Sequence, residues 1–280
     1  MKGGDVLKTL KVIASPEKAE VLSRFFKMGP GQYGEGDVFL GVTMPEIRKV
    51  AREFRELPFS EIETLLASPY HEARMAGLLV LVDRFERAGE ESRKEVYDFL
   101  IAHRGAMNNW DLVDVIVPKI VGAYLTGLQF TPSKTHPSVP RTGQLPSERG
   151  AGKREVGEER AGEKGAGRKI AVMGWSGREI LYHFAQSDDL WERRIAIVST
   201  FAFIRADEFD DTIAIAKMLL GDRHDLIHKA TGWMLREVGK RDESVLRKFL
   251  DTHAPRMPRT MLRYAIERLS EEERKGDMSK

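Results

Sequence analysis

The sequence predicts an all-α fold in which paired helices stack into a solenoid. Apolar residues recur at three- and four-residue spacing through almost every stretch that is not rich in glycine or polar residues. No run of alternating β-branched residues indicates a strand. A weak internal repeat has a period of roughly 35 to 45 residues, and such periods in helical chains are typical of solenoids.

Five segments show the amphipathic pattern most clearly, and each predicts a helix with one apolar face. They are Glu17–Lys27, Pro45–Phe54, His71–Glu86, Glu91–His103 and Asp207–Leu220. Between the first two lies a glycine-rich connection, residues 29–36, for which we predict no helix. Pro45 suits the first turn of the helix that follows, because a proline there loses no hydrogen bond.

The internal repeat is visible when the helical segments are compared with one another. Residues 71–78 resemble residues 191–198, and residues 228–233 form a further copy. Polar residues recur in similar places, about 37 residues apart at Arg74 and Asp111. We therefore predict a single HEAT-like repeat domain over the 280 residues, with an inner, concave face on which ligands bind.

Residues 131–169 interrupt this pattern, because they are rich in proline, glycine, serine and charged residues and contain almost nothing apolar. Such a segment buries too little surface to offset its chain entropy, so we predict a disordered insertion within the domain. Its charges are of both signs. Two interpretations stay open, a neutral loop insertion and a weak tether for nucleic acid.

Composition excludes several classes of protein. With 45 basic and 43 acidic residues the net charge is +2, so a nucleic-acid surface requires local clustering of cations. No apolar run approaches the roughly 18 residues of a membrane span, and residues 1–16 lack the features of a secretory signal. The chain contains no cysteine, which excludes disulfides, thiolate metal sites and thiol nucleophiles and agrees with the reducing cytoplasm, where we expect the protein.

The histidines do not indicate a metal centre. The chain has 7, and only His224 and His228 stand at a helical spacing of four, without a third ligand nearby in the sequence. We expect these two to be surface residues. Neither a metal nor a cofactor is predicted.

A first candidate cluster opens a predicted helix with an asparagine cap at residues 108 and 109. Trp110 and Asp114 follow at positions i and i+4, so they lie on one face of that helix, whereas Asp111 is displaced around it. Two interpretations are open for this pair. The tryptophan and carboxylate either belong to a binding pocket, or are a core residue and a partner of the helix dipole.

Two further clusters combine tryptophan with cations. Trp191 to Arg194 begins a helix after a cap signal at residues 187–189, and the simple interpretation is a solvated row of charges with Trp191 packed inward. In the other cluster four residues share one helical stripe, namely Lys229, Trp233, Arg236 and Lys240. A tryptophan flanked by cations is unusual for a core, and it is the pattern that a groove for phosphates and a base requires.

Several motifs in the same order resemble the AlkD-type DNA alkylation repair enzymes. They are Asn109–Asp114, Trp191–Ile197, Lys229–Glu237, Pro258–Glu267 and the stretch from Tyr33 to Gly41. The resemblance extends over nearly the whole chain except residues 131–169. It implies a HEAT-like helical repeat solenoid with a concave DNA-binding groove, and excision of positively charged N3- and N7-alkylated purines from duplex DNA.

By motif position, the resemblance implies a catalytic pocket of Trp110, Asp114 and Trp233, with Arg194 as its supporting DNA contact. For contacts with phosphates we predict four further cations, Lys229, Arg236, Arg48 and Arg259. The expected partner is duplex DNA containing alkylated bases, bound by a monomer.

Two alternatives to a glycosylase remain open. A non-catalytic HEAT-repeat scaffold that binds DNA or protein has the same composition and repeat period, because a fold does not determine a function. The set Trp110, Asp114 and Trp233 argues against it, since a scaffold has no need of these residues. A helical RNA-binding repeat predicts a base-reading side chain in each repeat, and the sequence does not show this regularity.

Overall fold

The computed structural model describes residues 1–127 and 177–279, and every regular element in these two ranges is a helix. The one extended pairing in them is an isolated bridge between Val38 and Tyr70. The prediction of an all-α fold is therefore confirmed. The predicted insertion, residues 131–169, lies outside the described residues.

The first described range contains eight α-helices, and a π-helical turn, Pro118–Gly122, joins the last two. They are α1 (Gly3–Val12), α2 (Pro16–Phe25), α3 (Met44–Glu53), α4 (Phe59–Leu66), α5 (His71–Arg87), α6 (Glu90–Ala102), α7 (Trp110–Val117) and α8 (Ala123–Gly127).

The second described range contains seven more α-helices. They are α9 (Glu179–Ala185), α10 (Leu190–Arg205), α11 (Asp210–Met218), α12 (Asp225–Arg241), α13 (Glu243–His253), α14 (Arg259–Ala265) and α15 (Glu271–Ser279). Among the helices of the two described ranges, none is long and apolar enough to cross a membrane.

The five helices predicted from periodicity are all present, with ends that differ by a few residues at most. The largest difference is at α11, which begins at Asp210 rather than at Asp207. Asp207 has a φ of 60°, in the left-handed region, and this conformation cannot continue a right-handed helix. Backbone conformation thus sets the boundary where the apolar pattern alone runs on.

The helices stack in the manner of a repeat solenoid. An inner row is formed by α5, α7, α10, α12 and α14, each of which packs against the next. Shorter helices cover this row from outside, with α4 and α6 on α5, α9 and α11 on α10, and α13 on α12. Because each pair contacts mainly its neighbours, a single continuous core runs through the stack.

Glycine permits the closest approaches within the inner row. A Cβ atom at Gly122 would lie 2.3 Å from the carbonyl oxygen of Ser199 on α10. A Cβ atom at Gly232 on α12 would lie 2.4 Å from the carbonyl oxygen of Met261 on α14. Both distances are below van der Waals contact, so these glycines set the spacing of the helices that surround the candidate site.

Candidate active site

The start of α7 is fixed by a buried asparagine. Asn109 is the N-cap, and its side-chain oxygen accepts a hydrogen bond of 2.8 Å from the backbone N–H of Trp110. Its amide nitrogen donates to Asp37 at 3.2 Å, which ties the cap to the residue that follows the glycine-rich connection. Trp110 therefore begins the helix, and Asp114 follows one turn later.

Asp114 forms a bidentate ion pair with Arg194 of α10. The guanidinium donates from Nε to Oδ1 at 2.9 Å and from Nη2 to Oδ2 at 2.6 Å, and its Nη1 donates to the carbonyl oxygen of Leu226. The side chain of Arg194 is 5% exposed and that of Asp114 is 17% exposed. One guanidinium thus connects three consecutive elements of the inner row and fixes both carboxylate oxygens.

Burial raises the pKa of Asp114 above the ordinary value of an aspartate, because the ionised form loses its hydration. The charge and hydrogen bonds of Arg194 oppose this rise, whereas the neighbouring carboxylate of Asp111 adds to it. The ionised form of Asp114 therefore depends on the guanidinium that holds it.

Asp114 and Trp233 line the same cleft, which has a volume of about 1450 Å³. Trp233 is half-buried on α12, and its ring lies 5.8 Å from that of Phe201. The rest of the lining mixes apolar side chains with charged ones of both signs. A carboxylate and an aromatic ring that line one cleft open to solvent can together stabilise a cationic centre.

Trp110 lies outside this cleft, one turn before Asp114 on α7. It stacks on Phe26 with 5.2 Å between ring centroids, and it meets the edge of Phe25 at 5.9 Å. Phe25 is 61% exposed, a large value for an apolar side chain. The structure therefore brings Asp114 and Trp233 into one cleft and places Trp110 beside it, against the end of α2.

The cations predicted to contact DNA have different surroundings. Lys229 is 40% exposed and pairs with Asp225 at 2.8 Å, and Arg236 pairs with Glu267. Arg48 is half-buried and Arg259 is exposed, and in the described part of the chain no acidic side chain lies within 4.0 Å of either. Arg48 and Arg259 therefore have charges that local carboxylates do not neutralise.

The cluster that follows Asp189 does not form a solvated row of charges. Within the predicted cap signal at residues 187–189, Asp189 is the residue that caps α10, accepting from the N–H groups of Trp191 and Glu192. The three charged side chains that follow Trp191 are at most 19% exposed, because each has an ion-pair partner. Those pairs are Glu192 with Arg104, Arg193 with Asp222, and Arg194 with Asp114. Trp191 itself is half-buried, with Tyr33 against its ring at 6.2 Å.

Sequence reasoning missed a buried polar cluster next to the start of α7. His71 faces Asp37 with Nδ1, at 3.0 Å, and Asp111 with Nε2, at 2.9 Å. Burial alone favours a neutral imidazole, but hydrogen bonds to Asp111 and Asp37 outweigh it and raise the pKa of His71 to about 9. Those hydrogen bonds and the charge of Arg74 also lower the pKa of Asp37, against the effect of burial. Spacing offers little signal here, since the partners are 34 and 40 residues from His71.

The two described ranges contain no group of three or more side chains arranged to hold a metal ion.

Comparisons with known proteins agree with this architecture. The chain matches the model of a family described as "DNA alkylation repair enzyme" over residues 6–133 and 168–269. None of the curated proteins matches it by sequence. Among solved structures, one described as "Predicted DNA alkylation repair enzyme from Enterococcus faecalis" superposes with a TM-score of 0.60 at 15% identity. The match covers 92% of this chain and 97% of the other, and at that identity it shows a common fold.

Proposed function

The chain belongs to the DNA alkylation repair enzyme family, and from that premise we propose that it is a monofunctional DNA glycosylase. It hydrolyses the N-glycosidic bond of positively charged N3- and N7-alkylated purines in duplex DNA. The strongest support is the carboxylate of Asp114. Arg194 donates hydrogen bonds to both of its oxygens, and the residue lines the same cleft as Trp233.

The proposed substrate class, which the family resemblance implies, is one for which a single carboxylate such as Asp114 can suffice. An alkylated purine such as N7-methylguanine already has a positive charge, so it leaves without a proton from a general acid. As the bond breaks, positive charge moves to the sugar, and an ionised Asp114 stabilises it and orients the attacking water. Glycosidases that act on neutral substrates need a second carboxyl group as the acid.

The attraction between Asp114 and the developing cation has a useful magnitude. At about 4 Å and an effective dielectric constant near 20 it amounts to about 4 kcal/mol. This is an upper value, because Arg194 neutralises part of the carboxylate charge. Since each 1.36 kcal/mol is about a factor of ten in rate, the carboxylate accounts for up to about a thousandfold acceleration.

We propose that Arg194 positions Asp114 instead of contacting DNA directly. Its guanidinium already donates to both carboxylate oxygens and to the carbonyl oxygen of Leu226. The DNA contact expected from the sequence would have to use the two remaining N–H groups of a guanidinium whose side chain is only 5% exposed.

The two tryptophans are proposed to flank the deoxyribose of the damaged nucleotide. Trp233 supports this assignment because it lines the cleft with Asp114, and Trp110 because it lies one turn away on the same helix. An aromatic face near a cation contributes about 1–2 kcal/mol when the site is desolvated.

The protein is further proposed to act as a monomer in the cytoplasm, with duplex DNA as its partner and without a cofactor. The direct test of the proposed function is the release of free N7-methylguanine and N3-methyladenine from methylated duplex DNA. Untreated duplex is the control. Release of neither base, with DNA binding intact, contradicts the glycosylase assignment and favours the non-catalytic scaffold.

Arg259→Ala is expected to weaken binding to undamaged and damaged duplex by a similar factor. Arg259 is exposed and has no acidic partner in the described residues, so its guanidinium is available to a phosphate. The slope of log affinity against log salt concentration should fall by about one. Fluorescence anisotropy over a salt series measures both effects. Arg55→Ala, which removes an exposed arginine paired with Glu56, is the control, and an equal loss in both variants contradicts the assignment.

A further inference from the structure

A stack of four rings leads from Trp110, beside the candidate cleft, to His71. Trp110 stacks on Phe26 at 5.2 Å, Phe26 on Phe39 at 4.9 Å, and Phe39 on His71 at 4.4 Å. The planes of neighbouring rings are within 24° of parallel. Displacement of the imidazole therefore changes the support on which Trp110 rests.

Hydrogen bonds also connect His71 to the start of α7, independently of the ring stack. Nε2 of His71 meets the carboxylate of Asp111, the residue after Trp110, and Nδ1 meets that of Asp37. Asp37 in turn accepts from Asn109, the N-cap of α7. Two independent sets of contacts thus connect His71 to the first residues of the helix that contains Asp114.

The imidazole must donate from both nitrogens, because a carboxylate faces each of them. A neutral imidazole has a single N–H, so it would leave one carboxylate facing a lone pair. His71 is also the first residue of α5, where the helix dipole disfavours a cation. The two carboxylates, rather than the helix, therefore account for a buried imidazolium at this position.

We propose that His71, as an imidazolium, is a positioning residue for the glycosylase pocket, and that it holds the start of α7 against the residues that flank the glycine-rich connection. This inference rests on the proposed function. The imidazolium aligns Trp110 through the ring stack and through Asp111. It also neutralises Asp111, whose negative charge raises the pKa of Asp114.

Besides its two carboxylate partners, several charged groups lie near His71. From α5 itself, Arg74 binds Asp37, and Glu72 accepts the N–H groups of Leu40, Gly41 and Val42. From α2, Glu17 and Lys18 line the small apolar cleft that His71 also lines, and α3 contributes apolar side chains and Thr43 to it. The protonation of His71 is therefore governed by Asp37 and Asp111.

The expected consequence is an alkaline limit to excision. Near neutral pH His71 stays an imidazolium, so its ionisation should not affect the rate. The rate should fall as the pH rises through about 9, where the imidazolium loses one of its two N–H protons. His71→Gln should excise about ten- to a hundredfold more slowly at pH 7.5, because small displacements of a reacting group have effects of this size. Its affinity for DNA should stay within about twofold of wild type, and its rate should show no fall near pH 9.

The test is single-turnover release of N7-methylguanine with saturating enzyme from pH 6 to 9.5, for wild type and His71→Gln. His103→Gln is the matched control, since His103 also pairs with a carboxylate, that of Glu63, but lies at the end of α6. The control also accounts for any alkaline change in the substrate. Asp111→Asn, which removes one of the two carboxylates, serves if His71→Gln fails to fold, and should move the alkaline limit to lower pH.

An NMR titration of ¹⁵N-labelled histidine tests the positioning role of His71, which we call the His71 clamp, separately from the proposed glycosylase function. A His71 signal that titrates near the ordinary value, or an unchanged alkaline limit in a folded His71→Gln, overturns the inference. Protonation that persists to about pH 9, with loss of the limit in His71→Gln alone, supports it. If wild type releases no base while His71 stays protonated, the proposed glycosylase fails and the clamp itself is supported.

Discussion

Asp114→Asn is expected to reduce the release of N7-methylguanine by up to about a thousandfold, because it removes the negative charge that stabilises the developing sugar cation. The amide still fits between the same neighbours and still accepts one hydrogen bond from Arg194. The measurement is single-turnover base release from methylated duplex, with duplex affinity measured in parallel. Affinity should remain close to that of wild type, since the carboxylate acts mainly in the transition state.

Two controls separate this chemical effect from a loss of folding. Asp83→Asn removes a carboxylate of α5 that pairs with Arg87 at the surface, and it should leave base release unchanged. Urea unfolding of Asp114→Asn shows whether the buried guanidinium of Arg194 tolerates an uncharged partner. A folded Asp114→Asn protein that releases base at nearly the wild-type rate would refute the role assigned to Asp114.

The helices were predictable because their signal is local. Periodic apolar residues report which face of each helix is buried, and this holds whichever helix covers that face. Boundaries follow less directly, as at Asp207, where a single left-handed residue delays the start of α11. The copies of the weak repeat lie on helices of the inner row, with residues 71–78 in α5, residues 191–198 in α10 and residues 228–233 in α12.

Residue spacing alone predicts the surroundings of the site only within a helix, and the residues that other helices contribute were expected from the family resemblance. Trp110 and Asp114 share a face of α7 by their spacing, but the partner of Asp114 lies 80 residues away in the sequence. Arg194 looks like any cation in a charged run until the fold places it against α7. The stripe on α12 shows the same limit, because it predicts cations around Trp233 and gives no sign that Glu267 neutralises Arg236.

Arg194→Lys is expected to impair both stability and excision, and the pattern of the two effects identifies its role. A lysine retains the charge but cannot donate to both oxygens of Asp114 and to Leu226 in the same planar geometry. Breaking a buried ion pair so that one charged partner is left unpaired lowers the free energy of unfolding by up to about 3–5 kcal/mol. Urea unfolding and single-turnover base release measure the two effects.

The acid limit of excision should move to higher pH in Arg194→Lys. Burial already raises the pKa of Asp114, and the guanidinium opposes that rise, so a weaker partner lets the pKa increase further. Since the ionised form is the active one, the rate then falls at a higher pH as the solution is acidified. Arg193→Lys is the matched control, because Arg193 is the neighbouring arginine on α10 and binds Asp222 instead of Asp114.

The comparison of Arg194→Lys with Arg194→Ala decides between a positioning role and a DNA contact for Arg194. If Arg194 acts through Asp114, Arg194→Lys shifts the acid limit and lowers the maximal rate, while the salt dependence of duplex binding stays as in wild type. If instead it binds a phosphate, the lysine keeps that charge, the acid limit stays in place, and Arg194→Ala reduces the salt slope by about one. The buried geometry of the guanidinium favours the first outcome, because its side chain is 5% exposed and three of its five N–H groups already have protein acceptors.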